Sequence, residues 1–142
     1  MTTSKMKTVV LFFVIAFNFS QSLVDAGCAK EFRITVHVVN NLPSKSPVLG
    51  LRCQSKDDDL GYHTLSLYQD YNWSFCLHLF GRTLFFCHLY WGAKQKAFDV
   101  FRDKLGGKVY QHHFWSIRGD GIYNYNFSTD VTSPPTKMYD WN

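Results

Sequence analysis

Four cysteines are the residues of this chain best suited to covalent chemistry: Cys28, Cys53, Cys76 and Cys87. A structural zinc site uses closely spaced ligand pairs such as Cys-x-x-Cys, and the sequence has no such pair. In an oxidising compartment, an even number of cysteines in a short chain forms disulfide bonds. We therefore expect two disulfides, with no metal and no cofactor.

The spacing of the cysteines favours one pairing. Two aromatic-rich runs, residues 73–80 and 83–91, are separated by Gly81 and Arg82, a length that suits a two-residue hairpin turn. In that register Cys76 lies opposite Cys87 at a separation that a disulfide can bridge, which leaves Cys28 to pair with Cys53. A competing scheme joins Cys53 to Cys87 across two sheets, and loop entropies are too similar to decide between the schemes.

Histidines are the second group with possible chemistry. Paired histidines can act as general base and general acid, as in a secreted ribonuclease or another hydrolase. Secreted ribonucleases hold their catalytic histidines in characteristic short motifs, and none of these motifs occurs here. We therefore expect no catalytic residues in this chain, whose six histidines are His37, His63, His78, His88, His112 and His113.

The segment Lys56-Asp57-Asp58-Asp59 contains three consecutive aspartates. It lacks the alternating ligands and the closing glutamate of an EF-hand, and adjacent side chains in a turn diverge, which argues against calcium. The simplest interpretation is a solvated turn in which an aspartate caps the backbone. The functional alternative is an acidic surface for a partner, and we take these four residues as a candidate partner-binding loop.

Two sequons could carry N-linked sugar. These are Asn72-Trp73-Ser74 and Asn126-Phe127-Ser128. We expect Asn72 to be the better acceptor because it lies where a strand begins. A glycan there would cover that part of the surface and direct partners elsewhere.

The N-terminal segment, residues 1–26, has the pattern of a secretory signal peptide. Lys5 and Lys7 precede an apolar run, and small residues before Gly27 suit cleavage. The run is interrupted by polar residues before it reaches the roughly 20 residues that span a bilayer. We expect a secreted, extracellular product that does not span a membrane.

Residues 27–132 are then predicted to form one domain. After removal of the leader, 13 basic and 10 acidic residues remain, without a cluster of lysine or arginine. This weakly basic surface does not indicate a nucleic-acid partner.

Short alternating apolar segments predict an all-β domain. The clearest candidates are strands at 32–39, 48–54, 64–68 and 97–101, and a hairpin of 113–117 with 122–127 around Gly119 and Gly121. Leu65 and Leu67 are expected to point inward. Residues 133–142, with two adjacent prolines, are expected to form a loose tail. We predict a compact antiparallel β-sandwich of about seven or eight strands, with most of the aromatic side chains in its core.

Three sequence segments resemble those of a known family. LGLRCQSKDDDLG (residues 49–61), TLFFCHLYWG (residues 83–92) and DGIY (residues 120–123) are similar to the plant self-incompatibility S1 family, the S-protein homologues. The late cysteine pair usual in that family is absent at residues 109–113, so we carry over no disulfide pairing from the resemblance.

The resemblance implies a small secreted β protein that is not an enzyme. It also implies a signalling ligand that recognises a cell-surface receptor, in pollen–pistil or other cell–cell communication. We expect a monomer that docks through loops such as 55–61, 69–73 and 102–111. Two alternatives remain: a defence protein that acts directly on microbes or membranes, and a secreted hydrolase.

Overall fold

The computed structural model describes residues 28–77, 82–104, 107–127 and 134–142. The predicted signal peptide, residues 1–26, lies outside these ranges. Residues 28–32 belong to an N-terminal unit, in which Lys30–Phe32 forms a single 3-10 turn. A hydrogen bond of 2.9 Å from the Phe32 N–H to the Ala29 carbonyl closes that turn.

The described residues after Phe32 form nine strands in two sheets. One sheet has the order β4-β1-β7-β8-β9 and the other has the order β3-β2-β5-β6. The predicted all-β, disulfide-stapled sandwich is therefore confirmed, with nine strands in place of seven or eight. In chain order the strands are β1 (Arg33–Asn40), β2 (Leu49–Gln54), β3 (Asp59–Leu65), β4 (Asp70–Cys76), β5 (Leu84–Trp91), β6 (Lys94–Arg102), β7 (His112–Arg118), β8 (Gly121–Phe127) and β9 (Thr136–Tyr139).

The core lies between the two sheets. In β1, Ile34, Val36 and Val38 are fully buried while the residues between them are partly exposed, as the alternation in sequence predicts. Leu49, Leu51 and Cys53 of β2 are buried in the same way from the second sheet. A buried hydrogen bond of 3.0 Å from Trp115 Nε1 in β7 to the Val100 carbonyl in β6 also joins the two sheets.

One strand pair departs from the predicted antiparallel arrangement. β1 and β7 run parallel, with Val36 opposite His113, whereas the other six strand pairs formed by the described residues are antiparallel. Parallel neighbours require a long connection, and here the chain between β1 and β7 supplies strands to both sheets.

The predicted hairpin of residues 73–80 and 83–91 is wrong. β4 pairs with β1, whereas β5 pairs with β2 and β6 in the other sheet. The aromatic side chains explain the separation, because Trp73 and Phe75 of β4 pack against Phe85 of β5 in tilted arrangements, at ring-centroid distances of 5.6 and 4.7 Å. These three rings lie between the two sheets, so β4 and β5 face each other across the core rather than pairing edge to edge.

The favoured disulfide pairing is also wrong, because it depended on that hairpin. Cys53 of β2 and Cys87 of β5 form a disulfide, with Cα atoms 4.1 Å apart, so pairing of Cys76 with Cys87 and of Cys28 with Cys53 is wrong. The competing scheme names the right partners but the wrong location, since the two residues lie directly opposite each other in neighbouring strands of one sheet. Cys28 and Cys76 are each disulfide-bonded as well.

Two further expectations change. The third strand was predicted at 64–68, but β3 begins at Asp59 and ends at Leu65 because pairing with β2 resumes directly after the turn at 55–58. Leu65 is buried as predicted, whereas Leu67 is 38% exposed. The tail predicted as loose contains β9, because Thr136–Tyr139 pairs with β8 and thereby extends the five-stranded sheet.

Candidate recognition site at one end of the sandwich

The segment Lys56-Asp57-Asp58-Asp59 belongs partly to a turn and partly to a strand. Residues 55–58 form a turn in which the Ser55 N–H donates to the Asp58 carbonyl at 2.7 Å, and the Asp58 N–H donates to Ser55 Oγ at 3.1 Å. A serine therefore supports this turn rather than the aspartate that was predicted to cap it. Lys56, Asp57 and Asp58 are exposed at the tip of the turn.

Asp59 is the first residue of β3, and its carboxylate accepts hydrogen bonds from two neighbouring residues. Arg52 of β2 donates to it through Nε, at 3.3 Å, and through Nη2. The Gly61 N–H donates to the same carboxylate at 2.9 Å, where Gly61 has a φ of 80° that suits glycine. The hydrogen bonds from Arg52 and then from Gly61 lower the pKa of Asp59, and the pKa of Arg52 is raised by the same ion pair. Asp59 thus anchors the start of the strand, while the Asp57 and Asp58 side chains are exposed.

A cleft of about 590 Å³ opens beside the turn. One wall is the turn, from Ser55 to Asp58, and the opposite wall is the segment that begins with Arg82 and Thr83 and enters β5. Phe75 from one sheet and Phe85 from the other line its base. The cleft therefore combines an aromatic base with a rim that carries charges of both signs.

Packing in the core fixes the base of the cleft. The Phe75 ring lies edge-on to Phe101 of β6 at 5.0 Å and contacts Phe85 of β5, so it is held from two strands of the opposite sheet. Within the described chain, the buried Oγ1 of Thr83 has no hydrogen-bond partner. A ligand in the cleft would find rigid apolar contacts and a polar atom close to its wall.

The three loops predicted to carry recognition do not share one end. Arg102 pairs with Leu84, so the segment after β6 leaves the sheet beside the cleft, together with the 55–58 turn. Residues 70–73, in contrast, belong to β4. The Gln69 carbonyl accepts a hydrogen bond from the Asn40 N–H at the other end of β1. The structure therefore places Arg102, where one predicted loop begins, at the end of the sheet that carries the 55–58 turn, and places residues 69–73 elsewhere.

The two sequons differ in accessibility. Asn72 is exposed on β4, an edge strand, and lies opposite His37 of β1. Asn126 lies in β8, with its Oδ1 buried. The described residues thus present Asn72 to solvent but not the amide oxygen of Asn126.

A histidine cluster was missed from the sequence. On the outer face of the five-stranded sheet, His37 Nδ1 lies 2.8 Å from Asp70 Oδ2, and His37 Nε2 lies 3.5 Å from His112 Nδ1. The His37 ring also stacks on Phe114 at 3.9 Å. Only the parallel register of β1 and β7 places these residues together, and no local pattern in the sequence reports that register.

The other histidines lie apart from this cluster. His113 points to the opposite face from His112, and its ring nitrogen Nε2 lies 3.0 Å from the Tyr110 carbonyl. His63 bonds to the Leu60 carbonyl and His88 to Gln95, and His78 lies outside the described residues. In the described part of the chain, no group of three or more His, Cys, Asp or Glu side chains is arranged to hold a metal ion.

No helix among the described residues is both long and apolar enough to cross a membrane.

Comparison with known proteins identifies the family. The profile of the plant self-incompatibility protein S1 family matches residues 35–141. S-protein homolog 5 of Arabidopsis thaliana is 32% identical over 82% of this chain and 88% of its own length. S-protein homolog 29 of the same plant is 34% identical over 95% of this chain and 92% of its own length. The chain therefore belongs to the plant self-incompatibility S1 family.

The fold also matches a solved structure. That structure is of SPH (self-incompatibility protein homologue) proteins, described as a widespread family of small, highly stable, secreted proteins from plants. It superposes with a TM-score of 0.61 at 20% identity and covers 82% of this chain and 97% of its own. Membership of the family places the protein among secreted, extracellular plant proteins.

Proposed function

We propose that this protein is a signalling ligand that binds a receptor on the surface of another cell through the cleft beside the 55–58 turn. The observation that carries the proposal is the composition of that cleft. Phe75 and Phe85 offer an aromatic surface, and Lys56, Asp57, Asp58 and Arg82 supply charges of both signs around it. An apolar centre inside a charged rim is the usual arrangement of a protein-binding site.

The mechanism would be recognition by a surface that is already in place. Cys53 and Cys87 join β2 to β5, the strands that lead to the two walls of the cleft. A constrained site loses less conformational entropy when it binds. The charges at the rim would orient the partner, and the aromatic base would contribute most of the affinity.

The biological setting follows from the family. We propose a role in cell–cell communication, with pollen–pistil signalling as one instance, and without enzymatic turnover. Processing before Gly27 would release the domain, and N-terminal sequencing of the secreted product would test that cleavage. We also propose that Asn72 carries a glycan, which would cover part of the outer face of the five-stranded sheet and leave the cleft open.

Binding of the secreted, oxidised protein to intact plant cells, including pollen tubes, tests the proposal. The test variant combines Lys56→Gln, Asp57→Asn and Asp58→Asn. The matched control is Asp140→Asn, whose exposed carboxylate pairs with Lys137 away from the cleft. We expect saturable binding that is lost on reduction and alkylation, weakened about tenfold by the triple variant and unchanged by the control.

Two results would overturn the proposal. Unsaturable binding that disappears in salt would indicate loose charge attraction, and vesicle leakage would then favour a defence protein that acts directly on membranes. Saturable binding that the triple variant leaves intact would retain a receptor but remove the cleft as its site.

A further inference from the structure

The outer face of the four-stranded sheet carries a second concave feature. A shallow depression of about 500 Å³ lies there, lined by Arg52, Asp59, Gly61, Tyr62 and Tyr90. It shares no lining residue with the cleft assigned to the receptor. The two sites can therefore be tested independently.

The aromatic part of the depression depends on a glycine. A Cβ atom at Gly50 of β2 would overlap the hydroxyl oxygen of Tyr62, so the Tyr62 ring lies directly across the backbone of the neighbouring strand. This brings it to 6.1 Å from the Tyr90 ring, with 50° between the ring planes. Tyr62 is 60% exposed and Tyr90 is 38% exposed. Two exposed rings, tilted relative to each other, thus lie side by side on this face.

One face of the Tyr90 ring packs on a neighbouring side chain of the same strand. It stacks on His88 at a centroid distance of 4.2 Å, with 10° between the planes. His88 in turn is fixed by a contact of 2.9 Å between its Nε2 and Gln95 Oε1 in the adjacent strand. The ring therefore presents a defined face rather than a mobile one, which reduces the entropy that binding would cost.

The polar part of the depression has no net charge. Arg52 and Asp59 neutralise each other through their paired hydrogen bonds. Tyr62 and Tyr90 are both exposed, and a phenolic hydroxyl can both donate and accept a hydrogen bond. A ligand that suits the site combines flat apolar surfaces with hydroxyl groups and carries no charge.

We propose that this depression binds a neutral oligosaccharide of the β-linked glucan type. Such a sugar has equatorial hydroxyl groups and flat C–H faces. The C–H faces would pack on the two tyrosine rings, and the hydroxyl groups would bond to the phenolic oxygens and to the remaining donor groups of Arg52. A cell-surface glycan of this kind would hold the protein near the receptor without occupying the receptor site.

The test uses cellohexaose as the neutral probe and an oligogalacturonate of equal length as the anionic comparison. Binding to the whole secreted protein is followed by NMR shift perturbation and calorimetry. The variants are Tyr62→Ala and Tyr90→Ala, with Tyr62→Phe as the conservative variant that keeps the ring. The matched control is Tyr68→Ala, since Tyr68 is 73% exposed but does not line the depression.

We expect cellohexaose to bind saturably and to perturb the resonances of residues 52, 59, 62 and 90. Loss of either ring should weaken binding about tenfold, whereas Tyr62→Phe and Tyr68→Ala should retain most of it. The proposal is overturned if cellohexaose does not bind at millimolar concentration, or if only the oligogalacturonate binds. It is also overturned if Tyr62→Ala and Tyr90→Ala reduce binding to cells but not to cellohexaose, because a protein partner would then occupy the face.

Discussion

His37 Nε2 and His112 Nδ1 lie 3.5 Å apart across the parallel strands β1 and β7. Asp70 holds the other ring nitrogen of His37 at 2.8 Å. Burial and then the charge of His37 lower the pKa of His112. A positive charge on His37 therefore disfavours a positive charge on His112, although the two residues are 75 positions apart in the chain.

Replacement of His37 by asparagine should raise the pKa of His112. The substitution removes the neighbouring positive charge and also exposes the His112 ring, and both effects favour its charged form. An NMR pH titration of the imidazole carbons measures the change. His88→Asn, in the other sheet, is the control and should leave the His112 titration where it is. A His112 pKa that stays constant or falls in His37→Asn would contradict the electrostatic coupling.

Stability should decline as the pH falls from about 6.5 to about 4, because burial lowers the pKa of His113 to about 4. The unfolded chain takes up a proton below about 6.5, whereas folded His113 stays neutral until the lower value, so acid favours unfolding across that window. As the pH falls through this window, the lowered pKa of His113 reduces the free energy of unfolding by about 3 kcal/mol. Urea unfolding at several pH values would measure it. His113→Phe should flatten the curve in this window, and an equally steep curve in that variant would refute the assignment.

Removal of the Cys53–Cys87 disulfide should reduce the free energy of unfolding by about 3 to 4 kcal/mol, since the bond closes a loop with a sequence separation of 34 residues. The double variant Cys53→Ala/Cys87→Ala, compared with the parent in chemical denaturation, measures the loss. Both cysteines are almost fully buried, so the bond should also resist mild reductants. Peptide mapping without reduction should recover residues 53 and 87 in one linked fragment. Recovery of 76 linked to 87 would disprove the pairing.

Two glycines should respond differently to alanine. At Gly121, with a φ of 153°, a Cβ atom would lie 2.7 Å from the Tyr139 carbonyl, so Gly121→Ala should cost about 2 kcal/mol and disturb the pairing of β8 with β9. At Gly50 the obstacle is the exposed Tyr62 side chain, which can swing away, so Gly50→Ala should change stability by less than about 1 kcal/mol. Thermal unfolding compares them. Equal losses at both positions would show that the Tyr62 ring is as rigid as backbone.

Local pattern predicted the strands but not their partners. The alternation of buried residues in β1 and β2 is visible in the sequence, as is the turn between β7 and β8, because each depends only on neighbours along the chain. The placement of β4 and β5 depends on which aromatic rings meet across the core, such as Phe75 with Phe85, and spacing alone suggested a hairpin. The disulfide error followed directly from that choice.

The candidate site was predicted to a similar extent. The sequence pointed to Lys56, Asp57, Asp58 and Asp59 as a unit, and three of them form the exposed tip of the turn. It could not predict that Asp59 is held by Arg52, because that contact requires the pairing of β2 with β3. The sequence likewise did not predict the surface formed by Tyr62 and Tyr90, since this surface depends on the Tyr62 ring lying across Gly50 of the neighbouring strand.

The parallel pair of β1 and β7 has a consequence for the order in which the chain folds. The strands of the four-stranded sheet all lie between Leu49 and Arg102, so that sheet can assemble before β7 is available. The five-stranded sheet cannot be completed until β7 pairs with β1. These two strands are far apart in the chain, since His112 follows its neighbour His37 by 75 residues. Such a high contact order predicts slow folding, with the four-stranded sheet forming first while one face of its core is still uncovered.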